Sequence, residues 1–184
     1  MPRRLSRLAV LVSSLILPAV RAAAADEPSL FTQHPTTVYA QLGLGTPLGW
    51  GGVELEQTVT SFLALSAGAG MGFAGPQVAF MPRLRLGNRD SAGVFGIGVS
   101  YGNYRRTETC LFDCAPTYFD GKVAWANIEG GVEHRWNAGL TLRVFVGLGH
   151  VVAGQLSCTG DSCTTYREQV RTLPYVGAAV GWSF

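Results

Sequence analysis

The last residues of the chain read Pro174-Tyr175-Val176-Gly177-Ala178-Ala179-Val180-Gly181-Trp182-Ser183-Phe184. Val176, Ala178, Val180, Trp182 and Phe184 share one parity, while Tyr175, Gly177, Ala179, Gly181 and Ser183 share the other. Successive side chains of an extended strand point to opposite faces, so this is a strand with one apolar face and one small or polar face. A terminal aromatic residue has little use in water, where chain ends fray and gain nothing from a large apolar side chain. It is stabilising where the apolar face of the strand meets hydrocarbon.

Outward from that strand, the same alternation recurs. From Thr36 onward the sequence reads as eight alternating segments separated by turn residues, with no helical period. The first seven run from Thr36 to Thr46, Gly52 to Val59, Phe62 to Phe73, Gln77 to Gly87, Gly93 to Tyr104, Lys122 to Arg135 and Gly139 to Val151. Pro47 to Gly51, Thr60-Ser61, Ala74-Gly75-Pro76, Asn88 to Ser91 and Trp136-Asn137-Ala138 are the turns. Two longer connections, Arg105 to Gly121 and about Val152 to Arg171, are expected as loops. The segments suffice for tilted crossings of a bilayer, which take about 9–11 residues each. Short turns at Thr60, Asn88 and Asn137 fall on one side, and both long loops fall on the other.

Composition agrees with an apolar exterior. Apolar residues make up 47% of the chain and charged residues only 14%, with 24 glycines, and the mean hydropathy is +0.21. Soluble domains carry about 25% charged residues. No later run reaches the roughly 18 apolar residues of a spanning helix. The net charge of +2 is too small to imply nucleic acid. At the amino terminus, Met1 to Arg7 is a basic region, Leu8 to Val20 an apolar core, and Arg21 to Ala25 a small-residue site. This predicts a secretory signal peptide over residues 1–25, a short leader over 26–35 without periodicity, and a barrel over 36–184.

Charge is confined to one parity. Across the middle of all eight segments the apolar parity holds no Asp, Glu, Lys or Arg, and the other parity holds Glu54, Glu56, Arg83, Arg85, Glu129, Glu133 and Arg143. A cation on the lipid face at the midplane costs roughly 2–4 kcal/mol. The third and fifth segments present Gly, Ala and Ser on the charged side, leaving room for long side chains, so a lattice of alternating acids and bases is expected to fill the lumen. Pro82 interrupts the pattern and predicts a bulge at Met81-Pro82. Trp136, Trp182 and Phe184 below, and Trp50, Phe73, Tyr101 and Tyr104 above, suit interfacial girdles.

Few residues invite chemistry. Cys110 and Cys114, and Cys158 and Cys163, sit as close pairs in the two expected loops. Export favours disulfides, of which three pairings are possible, over a four-thiolate zinc site. Pairing within each loop closes small rings, while pairing between the loops would cross-link them. His34, His134 and His150 are scattered, and none is followed two residues on by a serine. Neither an enzymatic activity nor a cofactor is expected.

The closing strand, with its terminal Phe184 and apolar residues at every second position, resembles that of bacterial outer-membrane β-barrels. The whole mature chain is similar in architecture to the small eight-stranded OmpA/OmpX-type barrels. The resemblance implies an all-β, antiparallel, up-and-down transmembrane barrel in a Gram-negative outer membrane, surrounded by outer-membrane lipids and monomeric. It also implies that periplasmic chaperones and the barrel-assembly machinery handle the chain, with Val176, Ala178, Val180, Trp182 and Phe184 as the assembly signal. Lipid A deacylases among small barrels use a His-x-Ser pair, which is missing here. A structural or surface-interaction role is expected. A narrow channel and a soluble lipocalin-like ligand-binding barrel, with the faces reversed, are the alternatives.

Overall fold

The computed structural model describes residues 29–108, 117–159 and 172–184, with only the backbone for 106–108, 117–119, 155–156 and 158–159. A one-turn helix, α1 (Leu30–Gln33), precedes eight strands: β1 (Thr36–Thr46), β2 (Gly49–Thr60), β3 (Leu63–Gly72), β4 (Gly75–Gly87), β5 (Ser91–Glu108), β6 (Thr117–Arg135), β7 (Leu140–Thr159) and β8 (Thr172–Ser183). Each strand pairs with its sequence neighbour, and β1 closes on β8 into a barrel. All the pairings are antiparallel, with Val38 opposite Trp182 across the closure. Closure leaves no unpaired sheet edge, so every strand can turn one face to hydrocarbon with its backbone groups satisfied.

The alternation decides which face is which. Ile97 is 60% exposed and Val53 58%, whereas Arg143 and Tyr39 are 0% exposed. The apolar parity therefore faces outward and the charged parity fills the lumen, opposite to a lipocalin-type interior. Trp136, Trp182 and Phe184 are exposed around the end that holds the terminus, and Trp50, Phe73 and Tyr101 around the other. Below we call these the terminal end and the loop end. The terminal-end turns are tight. At the β6–β7 turn Gly139 N–H donates to Trp136 O at 2.9 Å, and Gly139 has φ +92 with its missing Cβ only 2.6 Å from Ser183 O. Only glycine fits there without strain.

Three expectations are corrected. Residues 105–108 and 117–121 are not loop: the β5–β6 ladder continues through Arg105 opposite Asp120 to Glu108 opposite Thr117. β7 likewise continues beyond Val151 to Thr159, so Cys158 lies in a strand, its backbone opposite Phe119. Strands β5, β6 and β7 thus rise above the rest of the barrel wall. Pro82 produces no bulge. Phe80 opposite Val99 and Arg83 opposite Gly96 keep one register on either side of it, and the β3–β4 ladder runs through Pro82 opposite Leu65. Pairing with β5 lapses only at Met81 and Pro82, so Val78 and Phe80 stay outward, 51% and 47% exposed. A register shift does occur elsewhere, between Ala124 and Trp125 in the β6–β7 ladder, where Val152 is the extra residue. Finally, the β1–β2 turn is shorter than expected, β2 beginning at Gly49. Cys110, Cys114 and Cys163 lie outside the described residues, as does the expected signal peptide.

Candidate functional site: the filled lumen and its two mouths

The lumen near the terminal end is an ionic lattice made by the inward parity of β2, β4, β6 and β7. Arg83 anchors it. Its Nη1 and Nη2 donate to the two carboxylate oxygens of Glu54 at 2.7 and 3.0 Å, and its Nε donates to Glu129 Oε1 at 2.6 Å. Arg143 donates from Nη2 to Glu54 Oε1 at 2.6 Å and from Nη1 to Glu56 Oε2 at 3.0 Å. Arg85 bonds Glu56 Oε1 and reaches Glu133 Oε1 at 3.1 Å, with Thr58 Oγ1 accepting from its Nη1 at 2.9 Å. Glu56 is therefore shared by three guanidinium groups, since Arg83 Nη1 also lies 3.2 Å from its Oε2.

Sequence reasoning singled out seven of these charges and missed an eighth, Arg135, although it lies on the same parity as Glu129 and Glu133. Arg135 is fully buried. Its Nη2 donates to Thr37 Oγ1 at 2.9 Å and lies 3.4 Å from Glu133 Oε1. With it the buried set balances, four arginines against four glutamates among the described residues. Tyr39, also missed, donates to Glu133 Oε1 at 2.8 Å and carries Arg143 stacked over its ring at 4.4 Å. Small residues make the space for these long side chains. A Cβ on Gly96 of β5 would stand 2.7 Å from Glu129 Cγ.

The leader closes the terminal mouth. Ser29 Oγ accepts from Phe31 N–H at 3.2 Å and caps α1, and Leu30 N–H donates to Arg89 O at 3.0 Å. Leu30 and Phe31 are buried, 3% and 2% exposed. The guanidinium carbons of Arg85 and Arg135 both lie over the Phe31 ring, 4.7 and 4.6 Å from its centroid. Arg135 Nη1 also donates to His34 O at 2.7 Å. Of the leader expected over 26–35 without periodicity, residues 29–35 form a plug. A lone aromatic in an aperiodic stretch was the only signal.

The loop-end mouth has a different chemistry. The β1–β2 turn folds Leu48 inward until it is 1% exposed. Near this end a cavity of about 150 Å³ is lined by, among others, Gln77, Ser100, Asn103, Trp125 and Asn127. Asn127 Nδ2 donates to Ser100 Oγ at 2.9 Å. Of the histidines, His134 pairs with Ser91 Oγ at 2.7 Å and packs edge-on against Trp136 at 4.4 Å. His150 pairs with Thr172 Oγ1 at 2.8 Å. The two lie on different strands and share no partner. Among the described residues, no cluster of His, Cys, Asp and Glu has a geometry suited to a metal ion.

No protein-family model matches the sequence, and no curated protein matches it. A solved structure does. The N-terminal β-barrel domain of Pseudomonas aeruginosa OprF covers 82% of this chain and 98% of its own length, with a TM-score of 0.54 at 12% identity. This chain has the fold of a small outer-membrane β-barrel. Acinetobacter baumannii CarO and CarO2 also superpose over 82% of the chain and 98% of theirs, with TM-scores of 0.47 at 13% and 9% identity. The all-β, eight-stranded, antiparallel reading of the sequence stands. The chemistry of the lumen rests on the residues described above.

Proposed function

We propose that this chain is an integral, monomeric outer-membrane protein of a Gram-negative bacterium that does not conduct, with a lumen acting as a structural core and interactions made at its loop end. The observation that carries the reading is the closed ion lattice. Arg83, Arg85, Arg135 and Arg143 are each at most 3% exposed, and each is held by a carboxylate or by the leader. A permeant ion would have to displace paired charges, and breaking such pairs in a low-dielectric interior is strongly unfavourable. The balance of four arginines and four glutamates leaves no net charge to attract a counter-ion. The Phe31 plug beneath the lattice supports the same reading.

The apolar outer face is matched to lipid, and the terminal strand ending in Trp182, Ser183 and Phe184 suits recognition by the assembly machinery, with periplasmic chaperones holding the chain beforehand. At the other end, β5, β6 and β7 extend beyond the other strands, which suits surface contact. Within that region the close pairs Cys110 with Cys114 and Cys158 with Cys163 would stiffen the connections as disulfides in an oxidising compartment. No catalytic role is assigned to any residue.

The test is reconstitution into planar bilayers, with folding checked by gel mobility before and after boiling. Folded protein that shifts on heating and leaves the bilayer silent is the expected result. Steady, stepwise current from folded wild-type protein would overturn the reading and restore the narrow channel.

A further inference from the structure

Glycine and amide, rather than charge, line the lumen at the loop end. The side-chain amides of Gln77 and Asn103 are half-buried there, and neither has a hydrogen-bond partner among the described residues. Their positions depend on missing Cβ atoms. A Cβ on Gly72 would stand 2.6 Å from Gln77 Nε2, one on Gly102 2.5 Å from Gln77 Cγ, and one on Gly75 2.5 Å from Asn103 Nδ2. Three glycines on two hairpins therefore let two unsatisfied amides converge on one cavity. Half-burying an amide without a partner is unfavourable, and such groups in a concave site are what a ligand satisfies.

We propose that this cavity binds a single neutral sugar ring presented from outside the cell. Three features select that chemistry. An amide offers both donors and an acceptor, as vicinal hydroxyls require, and Asn127 adds a third amide whose Nδ2 donates to Ser100 Oγ at 2.9 Å and whose Oδ1 accepts no hydrogen bond among the described residues. Trp125, 8% exposed on the inward face, supplies an apolar wall for the C–H face of a ring, as amphipathic aromatic side chains do. Arg105 is the one cation among the described lining residues, and Asp120 already pairs with it at 3.1 Å. No unopposed charge is left to hold an anion. The volume of about 150 Å³ matches that of cavities that hold a single six-membered ring and not a chain. The β6–β7 register shift beside Trp125 fits a local re-aiming of the wall.

This inference rests on the proposed function in one respect: the lattice below must stop the sugar, making the cavity a terminus and not a passage. The experiment is ligand-observed saturation-transfer NMR on the full mature chain refolded in detergent micelles. The probes are glucose, galactose, mannose and N-acetylglucosamine, with glucuronate and glucosamine as charged comparators. At least one neutral sugar should saturate, the charged comparators should bind more weakly, and Gln77→Ala with Asn103→Ala should weaken binding by about tenfold or more while leaving the heat-dependent gel shift intact. Trp125→Leu should also weaken it if the ring face is used, and Trp125→Phe should largely restore it. No saturation by any neutral sugar, equal binding by the double variant, or a preference for glucuronate would overturn the site. Binding in micelles is read without any bilayer, so bilayer current with intact sugar binding would sink the closed-lumen reading alone, and a silent bilayer without sugar binding would sink only the site.

Discussion

The two halves of one lumen are built from the same eight strands and yet packed on opposite principles. Toward the terminal end, long charged side chains from β2, β4, β6 and β7 meet in the middle, and every guanidinium has a carboxylate within 3.4 Å. Toward the loop end, the inward positions of β3 and β5 are Gly68, Gly70, Gly72, Gly98, Ser100 and Gly102, and the space is left to amides and Trp125. An eight-stranded barrel encloses just enough room for side chains to fill. Filling it with ions makes a rigid core whose parts depend on one another. Leaving it to glycine makes a hollow whose walls stand independently.

The first half is the easier to break. Glu56→Ala removes the carboxylate that three arginines share and leaves the lumen with uncompensated positive charge. Breaking a buried ion pair from one side costs about 3–5 kcal/mol, and the largest loss in the molecule is expected here. Urea unfolding in lipid vesicles, followed by tryptophan emission, measures it. A loss below about 1 kcal/mol would mean that water, and not Glu56, solvates the arginines. The outer wall common to both halves comes next. Ile97, 60% exposed on β5, faces the apolar band, and Ile97→Arg should cost roughly 2–4 kcal/mol in the same assay. No change in vesicles would contradict a lipid-facing parity.

How much of this was legible follows from what alternation reports. Parity separated Glu54, Glu56, Arg83, Arg85, Glu129, Glu133 and Arg143 from the apolar face because lipid tolerates no charge there, and the structure brings all of them into one cluster. Arg135 went unseen because it sits beside the turn at Trp136, where it looked like a strand end and not a lumenal group. Strand ends themselves were misplaced at the loop end for a physical reason. Arg105 to Glu108 are all polar or charged, and Thr117 to Asp120 mix Thr, Tyr, Phe and Asp, so no apolar parity marks these stretches while the hydrogen-bonded ladder continues. Pro82 misled in the other direction: the β4–β5 pairing lapses only at Met81 and Pro82, and the intact β3–β4 ladder holds the register. Phe31 could not be read at all, since its partners Arg85 and Arg135 lie far away in sequence and one aromatic ring sets no period.

That plug gives the next effect in size. Phe31→Ala removes the ring that two guanidiniums contact, each such contact being worth about 0.5–2 kcal/mol. Because the leader can undock without unfolding the barrel, a loss of about 1–2 kcal/mol is expected, together with faster proteolysis at residues 29–35 in the folded protein. Unchanged cleavage would show that Leu30 and the Arg135 contacts with Leu30 O and His34 O hold the leader alone.

The smallest effect is the one that tests whether the two halves are separate at all. Asn103 makes none of the hydrogen bonds of the lattice, so Asn103→Ala should change stability by no more than about 0.5 kcal/mol. Combined with Glu56→Gln, its effect should simply add, because sites without shared partners couple by less than about 0.5 kcal/mol. Tyr39→Phe is the contrasting partner for the same cycle. Its hydroxyl lies 3.4 Å from Glu56 Oε1 and donates to Glu133, so the double variant with Glu56→Gln should depart from additivity by more than that amount. If Asn103 coupled to Glu56 as strongly as Tyr39 does, the lumen would be one cooperative network from mouth to mouth. The hollow at the loop end would then be part of the core, and a ligand bound in it would have to tighten or loosen the lattice beneath.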